Sequence, residues 1–89
     1  MRVTTKWDPA MTVFIGRPGP YGNPFYMRTE DDREEVITRF EKWARSTPWM
    51  LDRIAMLPPN SVLGCYCAPK CCHGDVIIKI WKEQNHGRV

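Results

Sequence analysis

The sequence predicts a small layered α/β domain in which a short, partly parallel sheet is covered by helices, in the order β-β-α-α-β-α. Three observations predict it. Two N-terminal segments are β-branched or alternate between apolar and polar residues; two amphipathic stripes of three-to-four-residue period follow; a buried apolar run then precedes a last amphipathic stretch. A strand, a helical crossover and a strand in one sheet make strands 12–15 and 61–67 parallel neighbours with a right-handed connection. At 89 residues the chain is one domain, 1–89, because so short a chain does not divide into two cores.

The elements follow in order. Val3, Thr5 and Trp7 alternate with Arg2, Thr4 and Lys6, which predicts a half-buried strand over 2–7, turned by Asp8-Pro9-Ala10. Thr12-Val13-Phe14-Ile15 predicts a second strand ending at Gly16. From Arg17 to Phe25, three prolines and two glycines exclude a helix or a central strand and leave a loop of restricted backbone freedom. Thr29 is placed as the N-cap of a helix with Glu30, Asp31 and Asp32 in its first turn, where acids complement the helix dipole. Val36, Ile37, Phe40, Trp43 and Ala44 form its apolar stripe to about Arg45. Thr47-Pro48 opens a second helix, with Met50, Leu51, Ile54 and Leu57 as its apolar set and Pro58-Pro59 as its stop. Residues 61–67 read as a buried strand around Val62, Leu63 and Tyr66. After the turn 68–72, residues 74–84 read as a helix burying Val76, Ile77, Ile80 and Trp81, and the tail 85–89 is expected to fray.

Composition narrows the function classes. Hydrophobic residues at 43% and charged residues at 26% exclude a disordered, fibrous or coiled-coil chain. No apolar run approaches the ~18 residues of a membrane span. The segment Met1 to Trp7 lacks the apolar stretch of a secretory signal, so a cytosolic, cytoplasmic location is expected. The net charge of +3 is weak and its basic residues are spread out, which argues against a dedicated nucleic-acid binder. All four cysteines fall between Cys65 and Cys72, where disulfides would close only short loops; in a reducing cytosol such a cluster points to a metal or a reactive thiol.

In parallel α/β sheets, ligands bind beyond the carboxyl ends of the strands. The Gly16-to-Phe25 loop and the Ala68-to-Asp75 loop leave the carboxyl ends of strands 12–15 and 61–67, so the two are expected to face each other as one site.

The runs Ile15-Gly16-Arg17-Pro18, Gly22-Asn23-Pro24-Phe25, Arg33-Glu34-Glu35-Val36, Leu63-Gly64-Cys65-Tyr66-Cys67-Ala68-Pro69 and Cys72-His73-Gly74-Asp75-Val76, taken together, resemble the domain-of-unknown-function family 4326. The resemblance covers nearly the whole chain and implies a bacterial or bacteriophage origin. It implies no activity. Tyr66 stands where that family usually has tryptophan, and Cys71 looks like an additional thiol.

Chemistry then supplies the candidate roles. Gly16, Arg17, Asn23, Gly74 and Asp75 are candidate ligand-binding residues: Arg17 for bidentate capture of an anion, Asn23 for an amide or base edge, and the N–H groups of Gly74 and Asp75 at a helix N-terminus for a phosphate. Tyr21 or Phe25 would stack on a ring. Cys72 and His73 are the candidate catalytic pair, a thiolate favoured by the helix dipole and a neighbouring imidazolium; a simple capping role for Cys72 is the bland counterpart. The expected partner is a phosphate-bearing or nucleotide-like small molecule. No complete catalytic constellation with a general base and an orienting partner is visible. The alternative is a Cys3His zinc site of Cys65, Cys67, Cys72 and His73 in a module that binds or inhibits a host protein, although the spacing departs from paired C-x2-C knuckles. For such a role Trp49 is the expected exposed aromatic anchor.

Overall fold

Three short strands, β1 (Arg2–Thr5), β2 (Val13–Phe14) and β3 (Val62–Cys65), form one sheet in the order β1-β3-β2. The computed structural model describes residues 1–17, 19–25, 27–66 and 72–85. Both pairings are parallel: Val3 lies opposite Leu63, and Val13 lies opposite Leu63 from the other side. Among the described residues three α-helices complete the fold: α1 (Arg33–Arg45), α2 (Pro48–Ala55) and α3 (His73–Gln84). They pack on one another, and α3 also packs on β1. The fold is therefore the small α/β domain expected, with β2 and β3 parallel neighbours joined through α1 and α2. Among the described residues no helix is long and apolar enough to cross a membrane.

Side-chain alternation along β3 sorts the sheet into two faces. Leu63 and Cys65 point into the core together with Ile15, Phe40, Ala44, Met50, Ile54, Ile77 and Ile80. Gly64 belongs to the opposite face. There the segment 6–12 carries the chain from β1 across β3 to β2, a crossing far shorter than the dozen or more residues that parallel connections ordinarily take. Gly64 is what permits it: a methyl group at that position would collide with the Met11 side chain and lie 3.3 Å from Lys6 Cα. Asp8 organises the segment by accepting from the Thr4 hydroxyl at 2.7 Å and from the Ala10 N–H at 2.8 Å, which holds its carboxyl below the usual range. This turn also ends β1 at Thr5, two residues earlier than the alternation predicts, and leaves Trp7 exposed at 80% instead of on the inner face.

The second and third strands are shorter than the expected 12–15 and 61–67, and two helix starts also differ from expectation. Thr29 makes no capping side-chain bond; a 3₁₀ turn over Glu30–Asp32 precedes α1, and the Asp32 carboxylate turns back to accept from the Arg28 N–H and Nε. Helix α3 begins at His73, with Cys72 as its N-cap. The expected turn over 68–72 lies largely outside the described residues, as do Cys67, Cys71 and the tail from residue 86.

Candidate functional site

Beyond the carboxyl ends of β2 and β3 lies a cavity of about 310 Å³. Its walls come from the two loops the sequence singles out and from α1. Gly16, Arg17, Asn23 and Phe25 line it from the loop after β2; Arg33, Val36 and Ile37 from α1; Cys65 and Tyr66 from the end of β3; Cys72 and His73 from the start of α3. Met27 completes the rim. Two guanidinium groups and no carboxylate are found among these described lining residues, while the rest of the wall is mainly apolar and aromatic.

The loop after β2 owes its shape to its own backbone. Gly19 N–H donates to Gly16 O and Gly22 N–H to Gly19 O, each at 3.0 Å, giving two turns in succession. Asn23 Oδ1 accepts from Phe25 N–H at 2.8 Å, and Arg17 Nη1 donates to Asn23 O at 3.1 Å. Asn23 Nδ2 reaches Val36 O on α1 at 3.5 Å. Asn23 is thus an organiser of the loop wall as well as a lining residue. Arg33 lines the opposite side and forks onto the Glu30 carboxylate through Nε and Nη2 at 2.9 and 3.0 Å.

His73 closes the floor. Its Nε2 lies 2.8 Å from Ile15 O and 3.0 Å from Tyr21 O. Both are acceptors, so Nε2 carries the proton and donates to the two carbonyls. The ring is 8% exposed and stands edge-on to Phe40 with centroids 4.9 Å apart. Burial pushes its pKa below the usual imidazole range; the two carbonyls oppose that shift, and the Arg17 charge adds to it. The ring is therefore neutral near pH 7. Burial thus disfavours the imidazolium expected to assist Cys72.

Cys72 adopts the extended N-cap backbone, and its Sγ accepts from Gly74 N–H at 3.3 Å. Asp75 N–H donates to Cys72 O at 3.1 Å. The two N–H groups expected to meet a phosphate are thus used by the helix's own cap. Asp75 is exposed and neither it nor Gly74 lines the cavity. Gly74 serves packing instead: a Cβ there would lie 2.7 Å from Val3 Cγ2 and 2.9 Å from Ile15 Cδ1. The sequence does bring Gly16, Arg17, Asn23, Cys72 and His73 to one cavity. It misses Arg33 and Tyr66 as lining residues, although both stand inside motifs that the resemblance had marked.

Of the Cys3His set, Cys65, Cys72 and His73 are described and Cys67 lies outside. Cys65 Sγ and Cys72 Sγ approach to 3.1 Å, but His73 Nε2 is committed to carbonyl oxygens. Among the described residues no group of three potential ligands is disposed to hold a metal ion. Trp49, the candidate anchor of the alternative reading, is exposed and stands edge-on to Trp43 at 5.8 Å.

No curated protein and no solved structure matches the chain. One family model does, that of the "Domain of unknown function (DUF4326)", over residues 1–83. That span contains every strand and helix but the last residue of α3, together with every wall of the cavity, and the chain belongs to that family.

Proposed function

We propose that the cavity binds a phosphate-bearing, nucleotide-like small molecule. The observation that carries this reading is the composition of the wall: Arg17 supplies positive charge and no carboxylate stands among the described lining residues, Arg33 being forked onto Glu30 outside the lining, while Phe25 and Tyr66 supply aromatic surface. A planar guanidinium matches the paired oxygens of a phosphate, and an aromatic face accepts a base or another flat ring. The volume falls at the lower end of the roughly 300–1,000 Å³ of small-molecule sites, which suits one nucleoside monophosphate better than a dinucleotide. The anion site is built from side chains, since the Gly74 and Asp75 N–H groups are taken.

Titration calorimetry with purine and pyrimidine nucleoside monophosphates, and with inorganic phosphate, tests this. The whole protein should bind at least one monophosphate more tightly than phosphate alone. Arg17→Ala should weaken that binding by about 1.5–3 kcal/mol, roughly tenfold to a hundredfold, because it removes a charge-assisted hydrogen bond. Unfolding temperature without ligand should change little, because Arg17 is exposed. Absence of binding at millimolar concentrations of every probe would refute the reading.

A further inference from the structure

The cavity wall contains a second chemical feature that anion binding does not use. Cys65 Sγ, at the end of β3, and Cys72 Sγ, at the N-cap of α3, lie 3.1 Å apart. Both residues are 2–3% exposed, and both line the cavity. Two sulfurs separated by seven residues in sequence are here brought to near contact by the parallel sheet and the start of α3. The Gly74 N–H points at Cys72 Sγ, and an N–H donor aimed at sulfur favours the negatively charged, nucleophilic form.

We infer that Cys65 and Cys72 form a dithiol–disulfide pair whose oxidant is a small peroxide admitted through the cavity. The Cys72 thiolate attacks the distal peroxide oxygen: an S–O bond forms, the O–O bond breaks, and the departing hydroxide takes up a proton and leaves as water. Cys65 Sγ then attacks Cys72 Sγ: the S–S bond forms, the S–O bond breaks, and hydroxide leaves with the Cys65 proton as a second water. Two thiols give up two electrons, and one peroxide is reduced to two waters. The pair needs neither a bound nucleotide nor a metal, so it stands or falls independently of the proposed ligand.

The test uses the double variant Cys67→Ser/Cys71→Ser, in which Cys65 and Cys72 are the only thiols left of the four. Reduced protein is treated with one equivalent of hydrogen peroxide, denatured and alkylated with iodoacetamide. The expected product is a monomer lighter by two hydrogens that takes up no label, regains two labels after dithiothreitol and yields a Cys65–Cys72 cross-linked peptide. The wild-type chain, digested without reduction, should give the same cross-linked peptide, which keeps the test valid if the double variant folds poorly. Three results would overturn the inference: both thiols still alkylated after peroxide, oxidation that stops at sulfinic acid or joins two chains, or co-purified zinc that shields the sulfurs until a chelator removes it. Because calorimetry with nucleotides reads the ligand separately, a failed cross-link leaves the anion reading untouched, and a failed titration leaves the thiol pair untouched.

Discussion

At the scale of single residues, His73 does the most. One imidazole N–H ties the start of α3 to two carbonyls, Ile15 O at the end of β2 and Tyr21 O six residues on, so it holds both ends of the loop wall against the helix. The unfolded chain takes up a proton on this side chain near pH ~6.5, whereas the folded protein does so only at lower pH. Protonation therefore favours unfolding. The contribution is complete above pH ~6.5 and is lost as pH falls below that value toward the folded-state pKa. Urea unfolding followed from pH ~7.5 to ~5.5 should show falling stability, and His73→Gln, which keeps a donor but cannot titrate, should flatten that slope. His73→Ala should cost about 1–3 kcal/mol for the stranded carbonyls alone. The place of His73 in the site was legible as a residue at a strand-to-helix turn. Its partners were not, because Tyr21 O reaches it only through two successive glycine turns that periodicity does not register. The same reasoning separates Arg17 from Gly74 and Asp75. A side chain at a loop can be assigned to a cavity from topology, but whether a backbone N–H is still available depends on the cap, and a cysteine is a rarer cap than serine or aspartate.

Among the elements, β3 is the one the others depend on. It is the central strand, buried along most of its length, and its one glycine lies beneath the 6–12 crossing. Gly64→Ala should destabilise the protein by about 1–3 kcal/mol, as overpacking does, measured by chemical denaturation. Adding Met11→Ala should return part of that loss and not all of it, because the Lys6 backbone also presses on the site. The existence and type of all three strands and all three helices could be read from alternation and three-to-four-residue spacing. The strand order could not. Residues 6–12 read as an ordinary turn, and nothing in their pattern says that they pass over a third strand arriving some fifty residues later. The Thr29 boundary failed for a local reason: three consecutive acids favour a helix start, but Asp32 is held by Arg28, so the first turn tightens and α1 proper begins at Arg33.

For the whole molecule, the apolar core joins all three helices to one face of the sheet, and the radius of gyration, 12.4 Å, is close to the roughly 12 Å of a folded chain this long. A surface network reinforces the helix pair α1 and α3: Arg45 bonds Glu41 at 2.9 Å and Glu83 at 2.8 Å, and Lys79 reaches Glu41 at 3.3 Å. These groups face solvent, and such pairs add little and are screened by salt. Arg45→Gln should lower the unfolding temperature slightly in low salt and leave it unchanged at about 1 M salt, where screening acts within about 3 Å. The sheet order has one more consequence, for synthesis on the ribosome. Among the described residues β1 and β2 do not pair with each other; each is paired with β3, roughly sixty and fifty residues further along. Until Val62–Cys65 leave the exit tunnel, the two strands made first have no hydrogen-bonding partner, while α1 and α2 already have each other. Chains arrested before β3 emerges should accordingly present two unpaired strand segments beside a preformed helix pair, and backbone protection should spread to β1 and β2 together, in a single step, once the central strand arrives.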